Sequence, residues 1–98
     1  MKRWRPGFAK MASYRVSLRP AAERDLRKID PTIRLRIWNK IQTLAEKPLP
    51  RGAEKLTGSE DEYRVRVGTF RILYLLDHQQ QSLEVFRIAH RREAYRRR

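Results

Sequence analysis

The chain has 98 residues, with 24 Lys or Arg against 11 Asp or Glu, so its formal net charge is +13. That length suits one domain with a single core, and a surface this basic attracts nucleic acid or another polyanion. No apolar run approaches the roughly 20 residues that span a bilayer, which argues against a membrane role. The lack of cysteine excludes disulfides, thiol catalysis and sulfur-ligated zinc, and it fits a reducing cytoplasm.

Residues 1–11 are predicted to be a basic N-terminal extension, and residues 12–98 the folded domain. The extension is interrupted by Pro6-Gly7 and has no apolar segment of the kind found in a secretory signal, so poor order is expected. Either Met1 or Met11 could be the translation start, because Met11 lies just before the first regular element.

The first half of the domain is predicted to be one strand followed by two helices. Apolar residues alternate over 13–19, which predicts a strand, and their spacing over 21–29 predicts a short helix. Asp30 followed by Pro31 is a helix-start signal, and the apolar stripe that follows predicts a second helix ending near Lys47. These two helices would form a hairpin with one apolar side.

The second half, after a loop predicted at 48–55, is predicted to be three antiparallel strands. Gly68-Thr69 suits a two-residue type II′ turn, and a turn at that place fixes the strand register. The predicted cross-strand pairs are Val67–Phe70, Arg66–Arg71, Val65–Ile72, Arg64–Leu73 and Tyr63–Tyr74. A polar turn then leads to a last strand over 82–89, where simple alternation puts Val85, Arg87 and Ala89 on one face. Which face of this strand joins the hairpin's arginines stays open.

The predicted hairpin register collects Arg64, Arg66 and Arg71 on one face of the sheet, with the apolar residues on the other. Like charges directly opposite each other destabilise a sheet by roughly 0.2–1 kcal/mol, so the Arg66–Arg71 pair makes physical sense if a polyanion binds between them. The alternative is a solvated basic face with no ligand. The order of elements predicts an α+β fold: an N-terminal strand, a helical hairpin, a three-stranded antiparallel continuation and a short C-terminal helix over 90–95.

Two motifs together resemble the RelE/ParE superfamily of type II toxins. They are Tyr-Arg-Val-Arg-Val-Gly-x-Phe-Arg-Ile-Leu-Tyr at 63–74 and His-Arg-Arg-Glu-x-Tyr at 90–95, and the resemblance covers about residues 12–97. The second motif is similar to that of the RelE branch, whose members are ribosome-dependent mRNA endonucleases.

The resemblance implies a site on this chain. The family's two basic residues of the second strand fall on Arg64 and Arg66, and its next arginine falls on Arg71. Its arginine after the last strand falls on Arg91, or on Arg92 by a slip of one residue, and its terminal tyrosine falls on Tyr95. The predicted catalytic set is therefore Arg64, Arg66, Arg71, Arg91 and Tyr95, and the predicted substrate-binding residues are Arg87, His90 and Arg92.

These residues suit RNA cleavage by attack of a 2′-hydroxyl on the adjacent phosphate, without metal or other cofactor. Arginine can stabilise the charge on phosphorus, but it cannot serve as a base. Tyr95 ranks first as the base, because surrounding cations favour phenolate, then His90 and then Glu93. Tyr95 packing a final helical turn, and His90 capping a strand end, are the structural alternatives.

The resemblance also implies partners. A RelE-like toxin acts on mRNA in the ribosomal A site and is neutralised by an antitoxin, whose acidic segment would wrap over this basic surface. The alternative is a ParE-like inhibitor that binds DNA gyrase and cleaves nothing. The ParE branch generally lacks the basic-plus-tyrosine site, so the five predicted catalytic residues favour the nuclease.

Overall fold

Two helices and five strands make up residues 13–90, the part of the chain that the computed structural model describes. In chain order they are β1 (Arg15–Leu18), α1 (Pro20–Arg27), α2 (Pro31–Glu46), β2 (Glu54–Lys55), β3 (Glu62–Val67), β4 (Phe70–Asp77) and β5 (Ser82–His90). The predicted α+β class is confirmed. No helix of this described part is long and apolar enough to span a bilayer.

The five strands form one sheet in the order β1-β5-β4-β3-β2. The three predicted strands β3, β4 and β5 pair antiparallel with one another, as expected, and β2 pairs antiparallel with β3, whereas β1 pairs with β5 in parallel. The first strand of the described chain therefore lies beside the last one, and the helical hairpin follows it across one face of the sheet.

Both helices begin at a proline. Pro20 and Pro31 have a fixed φ suited to a first helical turn, where the missing N–H is not needed. Asp30 caps α2, because its side chain accepts a hydrogen bond from the Thr32 N–H at 3.2 Å. Along α2 the predicted stripe is buried, with Ile37 and Ile41 both fully inaccessible.

The helices cover the apolar face of the hairpin. The core cluster joins Ala22 and the α2 stripe to Val65, Ile72 and Tyr74 of the sheet. All five predicted pairs of the β3–β4 register are confirmed. Gly68 has a φ of +60°, as the first central position of a type II′ turn requires.

The bounds of the helices and strands differ from the prediction at two places. Glu54 and Lys55, predicted as loop, form the short strand β2 and pair with Arg64 and Tyr63. A two-residue strand has no periodicity from which it could be predicted. The last strand continues to His90, so the predicted helical turn does not begin there. The rest of that turn, and the N-terminal extension, lie outside the described residues.

Candidate nucleic-acid interface

Four arginines from three strands share the face of the sheet away from the helices. Arg66 is opposite Arg71, and Leu73 is opposite Arg64 on one side and Arg87 on the other. Directly paired residues point to the same side of a sheet. We call this surface the arginine face; it consists of Arg64, Arg66, Arg71 and Arg87, with Leu73 and Ala89 between them.

Some residues of the arginine face are buried and others are exposed. Arg71, Leu73 and Ala89 are 4%, 2% and 4% exposed, and neither Leu73 nor Ala89 belongs to the core on the helix side. Arg66 and Arg87 are exposed. A guanidinium as deeply placed as Arg71 acts on an anion through a lower effective dielectric than bulk water, which strengthens the attraction.

Glu54 fixes the direction of Arg64. Its Oε1 accepts hydrogen bonds from Nε of Arg64 at 2.9 Å and lies 2.7 Å from Nη2. The hydrogen bond and charge of Arg64 hold the pKa of Glu54 below its usual range, and the charges of Arg66 and Arg71 lower it further. Glu54 is thus an ionised carboxylate within electrostatic reach of three guanidinium groups. Sequence reasoning missed it because β2 was not predicted.

Asp25 of α1 plays the same part for Arg87. The Asp25 carboxylate accepts hydrogen bonds from Nε of Arg87 at 2.6 Å and Nη2 at 3.3 Å. Its Oδ2 also accepts a hydrogen bond from the Ile88 N–H at 2.9 Å. Ile88 lies beyond the stretch of β5 that pairs with β1, since the last such pair is Leu18 with Val85. A side chain therefore replaces a strand as the partner of β5, and it orients Arg87 at the border of the arginine face.

A bulge in β5 decides which of its residues reach the arginine face. The register shifts between Leu73 and Tyr74, so that Leu73 pairs with Arg87 but Tyr74 pairs with Val85. Val85 is therefore fully buried on the helix side, and the prediction that it shares a face with Arg87 is wrong. Simple alternation fails here because Phe86 is an extra residue in the strand.

His90 lies on the opposite face of the sheet from Arg64, Arg66 and Arg71. It pairs with Phe70, whose neighbour in the register is Val67, so it points to the helix side. Its ring meets Phe70 edge-on, with centroids 5.6 Å apart. The structure thus brings together Arg64, Arg66, Arg71 and Arg87, and it places His90 in a separate cleft that Arg87 also lines. Arg91, Arg92 and Tyr95 lie outside the described residues.

The charge on this face of the sheet changes from positive to negative with distance from the β3–β4 turn. Past Leu73, the next residue of β4 on this face is Leu75, which pairs with Glu62 and Glu84. Glu84 is itself in an ion pair with Arg19, at 3.0 Å. Positive charge is therefore concentrated near the hairpin turn. Among residues 13–90 no group of three His, Cys, Asp or Glu side chains could hold a metal ion.

Solved structures with the same fold are toxins and their complexes with antitoxins. A chain of the RelBE2 toxin–antitoxin complex from Mycobacterium tuberculosis superposes with a TM-score of 0.74 and 31% identity, covering 84% of this chain and 95% of that one. The isolated RelE toxin of E. coli gives 0.70 and 22% identity, covering 87% and 98%. The fold is therefore that of a RelE-type toxin, as predicted.

The sequence comparisons give the family. Residues 16–95 match the model of the ParE toxin of type II toxin–antitoxin systems. Toxin RelG of Mycobacterium tuberculosis is 31% identical over 85 residues, which is 86% of this chain and 98% of RelG. The chain belongs to this family of type II toxins, and the superfamily predicted from the two motifs together is confirmed.

Proposed function

We propose that this toxin is a metal-independent, ribosome-dependent mRNA endonuclease that acts in the cytoplasm on message in the ribosomal A site. The observation that carries the proposal is the pairing of Arg66 with Arg71 on a face that also holds Arg64. Opposed guanidinium groups disfavour folding unless an anion lies between them, and a phosphate has the geometry to accept paired N–H donors from each.

The arginine face supplies charge stabilisation for in-line attack. As the 2′-hydroxyl adds to phosphorus, negative charge grows on the phosphate oxygens, and Arg66 and Arg71 stabilise it from neighbouring strands. Arg64, held by Glu54, supports the same phosphate from the side. None of these can take the 2′-hydroxyl proton, because a guanidinium stays protonated. That role remains assigned to Tyr95. As the bond from the 2′-oxygen to phosphorus forms, the bond from phosphorus to the 5′-oxygen breaks, and the departing oxygen takes a proton from solvent water.

A cognate antitoxin is the second part of the proposal. The related chain from Mycobacterium tuberculosis was solved in a RelBE2 toxin–antitoxin complex, and E. coli RelE in an intact RelBE complex. For this chain we infer an antitoxin with an acidic segment that covers the arginine face. Leu73 is only 2% exposed whereas Leu75 is partly exposed, so we infer that Leu75 makes the apolar contact with that segment.

Gyrase inhibition is the second candidate, because the matching family model is that of the ParE toxin. A ParE-like toxin would bind DNA gyrase through protein contacts and would not need the Arg66–Arg71 pair. The two candidates differ in what happens to the message after induction.

Primer extension on a translated message tests the nuclease. Cuts should be found only while ribosomes translate the message. Arg66→Gln should abolish the cuts, because it removes a guanidinium that stabilises the phosphate charge. Since Arg66 is exposed, the substitution should leave the fold intact. Arg36→Gln, at an exposed position of α2, is the matched control and should cut like the wild type. Growth arrest with intact message and blocked supercoiling would instead establish gyrase inhibition.

A further inference from the structure

A second basic site adjoins the arginine face at the β2–β3 edge of the sheet. A cleft of about 330 Å³ opens there, and we call it the edge cleft. Its charged lining is five cationic side chains and one carboxylate: Lys40, Arg51, Arg64, Arg66, Arg71 and Glu54. Lys40 comes from α2 and Arg51 from the loop between α2 and β2, so the cleft connects the arginine face to the helical layer.

The loop that carries Arg51 is fixed to the sheet. The buried Tyr74 hydroxyl donates a hydrogen bond to the Pro48 carbonyl at 2.6 Å. Burial raises the pKa of Tyr74 to about 12, so this hydroxyl remains a donor at neutral pH. At the other end of the loop the Ala53 N–H donates to the Pro50 carbonyl at 3.0 Å. Arg51 is therefore presented from a short, anchored turn.

The charge of the edge cleft is only partly compensated. Its one carboxylate, Glu54, is engaged by Arg64. Within residues 13–90, neither the ammonium of Lys40 nor the guanidinium of Arg51 has a hydrogen-bond or ion-pair partner. Two cations face a cleft whose other walls are also positive, which favours an anionic ligand.

The charges around the arginine face favour a polyanion that runs from the arginine face toward the edge cleft. Along the strands, the carboxylates of Glu62 and Glu84 take the place of cations beyond Leu73, and Glu84 is in an ion pair with Arg19. On the β5 side, Arg87 is bound to Asp25. Among the described residues 13–90, a phosphodiester chain held at the Arg66–Arg71 pair therefore finds its next uncompensated cations, Lys40 and Arg51, across β3 in the edge cleft.

We propose that Lys40 and Arg51 bind the phosphate next to the one held by the arginine face, so that a single RNA strand crosses the β2–β3 edge. The proposal rests on the nuclease function, since the bound strand is its substrate. Lys40 and Arg51 position the strand and touch no reacting atom, so they contribute affinity and direction.

The test is RNA binding as a function of salt. The probe is a short single-stranded RNA, fully 2′-O-methylated so that it cannot be cut, and binding is followed by fluorescence anisotropy. Each phosphate contact to a single strand adds about 0.7 to the slope of log K against log salt. Because Lys40 and Arg51 share one phosphate, Lys40→Gln with Arg51→Gln should lower the magnitude of this slope by about 0.7.

Arg24→Gln with Arg36→Gln is the matched control, because it removes the same charge from exposed helix positions outside the edge cleft. Its slope should stay within experimental error of the wild type. An unchanged slope in the cleft variant, or an equal fall in the control, would overturn the proposal. Circular dichroism of both variants should match that of the wild type, which checks that they are folded.

The two proposals fail separately. If the wild type cuts no message but the cleft variant loses slope, the edge cleft is an RNA site and the nuclease proposal is wrong. If the wild type cuts message in a ribosome-dependent way and the cleft variant keeps the full slope, only the edge-cleft proposal is wrong.

Discussion

Arg66 lies directly opposite Arg71 across the β3–β4 hairpin, and the two differ sharply in burial. Arg71 is 4% exposed, whereas Arg66 is on the surface. The guanidinium of Arg71 is buried against the sheet, whereas that of Arg66 is on the surface and can move toward an incoming anion. A ligand phosphate would turn a repulsive pair into a binding site, so stability and function oppose each other here.

Replacing Arg66 with Gln should therefore stabilise the free protein. The expected gain in the free energy of unfolding is roughly 0.5 kcal/mol at low salt, because cross-strand repulsion is removed. Urea unfolding measures it, and the gain should shrink as salt screens the pair. Arg66→Lys keeps the positive charge and should show no gain. A loss of stability in the Gln variant would contradict this account.

Glu54→Gln should change how the free energy of unfolding depends on pH. Folding lowers the pKa of Glu54 from its ordinary value of 4.5, so the ionised carboxylate makes its full contribution to the free energy of unfolding above that pH. It is lost as pH falls through the lower folded pKa, because the unfolded state then binds more protons. The stability difference between wild type and variant, from urea unfolding, should be constant near neutrality and should shrink below about pH 4.5. A difference that grows in acid is the contrary result.

Asp25→Ala should destabilise the fold by about 1.5–3 kcal/mol, since it removes charge-assisted hydrogen bonds to Arg87 and to the Ile88 N–H. Arg87→Gln is the control. It removes the exposed ion pair but leaves the Ile88 bond, and it should cost under about 1 kcal/mol. Thermal or urea unfolding measures both. Equal losses would mean that the bond to Ile88 contributes nothing.

Tyr74→Phe should cost about 1 kcal/mol and loosen the loop that carries Arg51. The variant keeps the buried ring but leaves the Pro48 carbonyl without its donor. Amide hydrogen exchange at Ala53 should speed up, because that N–H bonds within the same loop. Tyr63→Phe removes a hydroxyl from the ring stacked on Tyr74, at 6.0 Å between centroids, and should leave exchange at Ala53 unchanged.

The arginines of the hairpin could be placed from sequence because the turn is local. Gly68-Thr69 leaves room for only one short loop, and a two-residue loop fixes every pair that follows it. That is why the opposition of Arg66 and Arg71 was predictable without knowledge of the rest of the sheet.

The remaining parts of the site depend on distant contacts. Glu54 reaches Arg64 through a strand too short to show a pattern, and Asp25 reaches Arg87 from another layer of the fold. The faces of β5 could not be assigned because the bulge at Phe86 breaks the alternation. His90, predicted as a substrate-binding residue, lies on the opposite face of the sheet from Arg64, Arg66 and Arg71, in a cleft that Arg87 also lines.

The parallel pairing of β1 with β5 has a consequence for synthesis. Arg15 pairs with Ser82, so the first strand stays without its sheet partner until nearly all of the described chain has been translated. The same late strand brings Arg87 and Ala89 to the arginine face. A nascent chain on the ribosome consequently lacks the finished surface, and the protein gains it only after β5 has emerged from the exit tunnel.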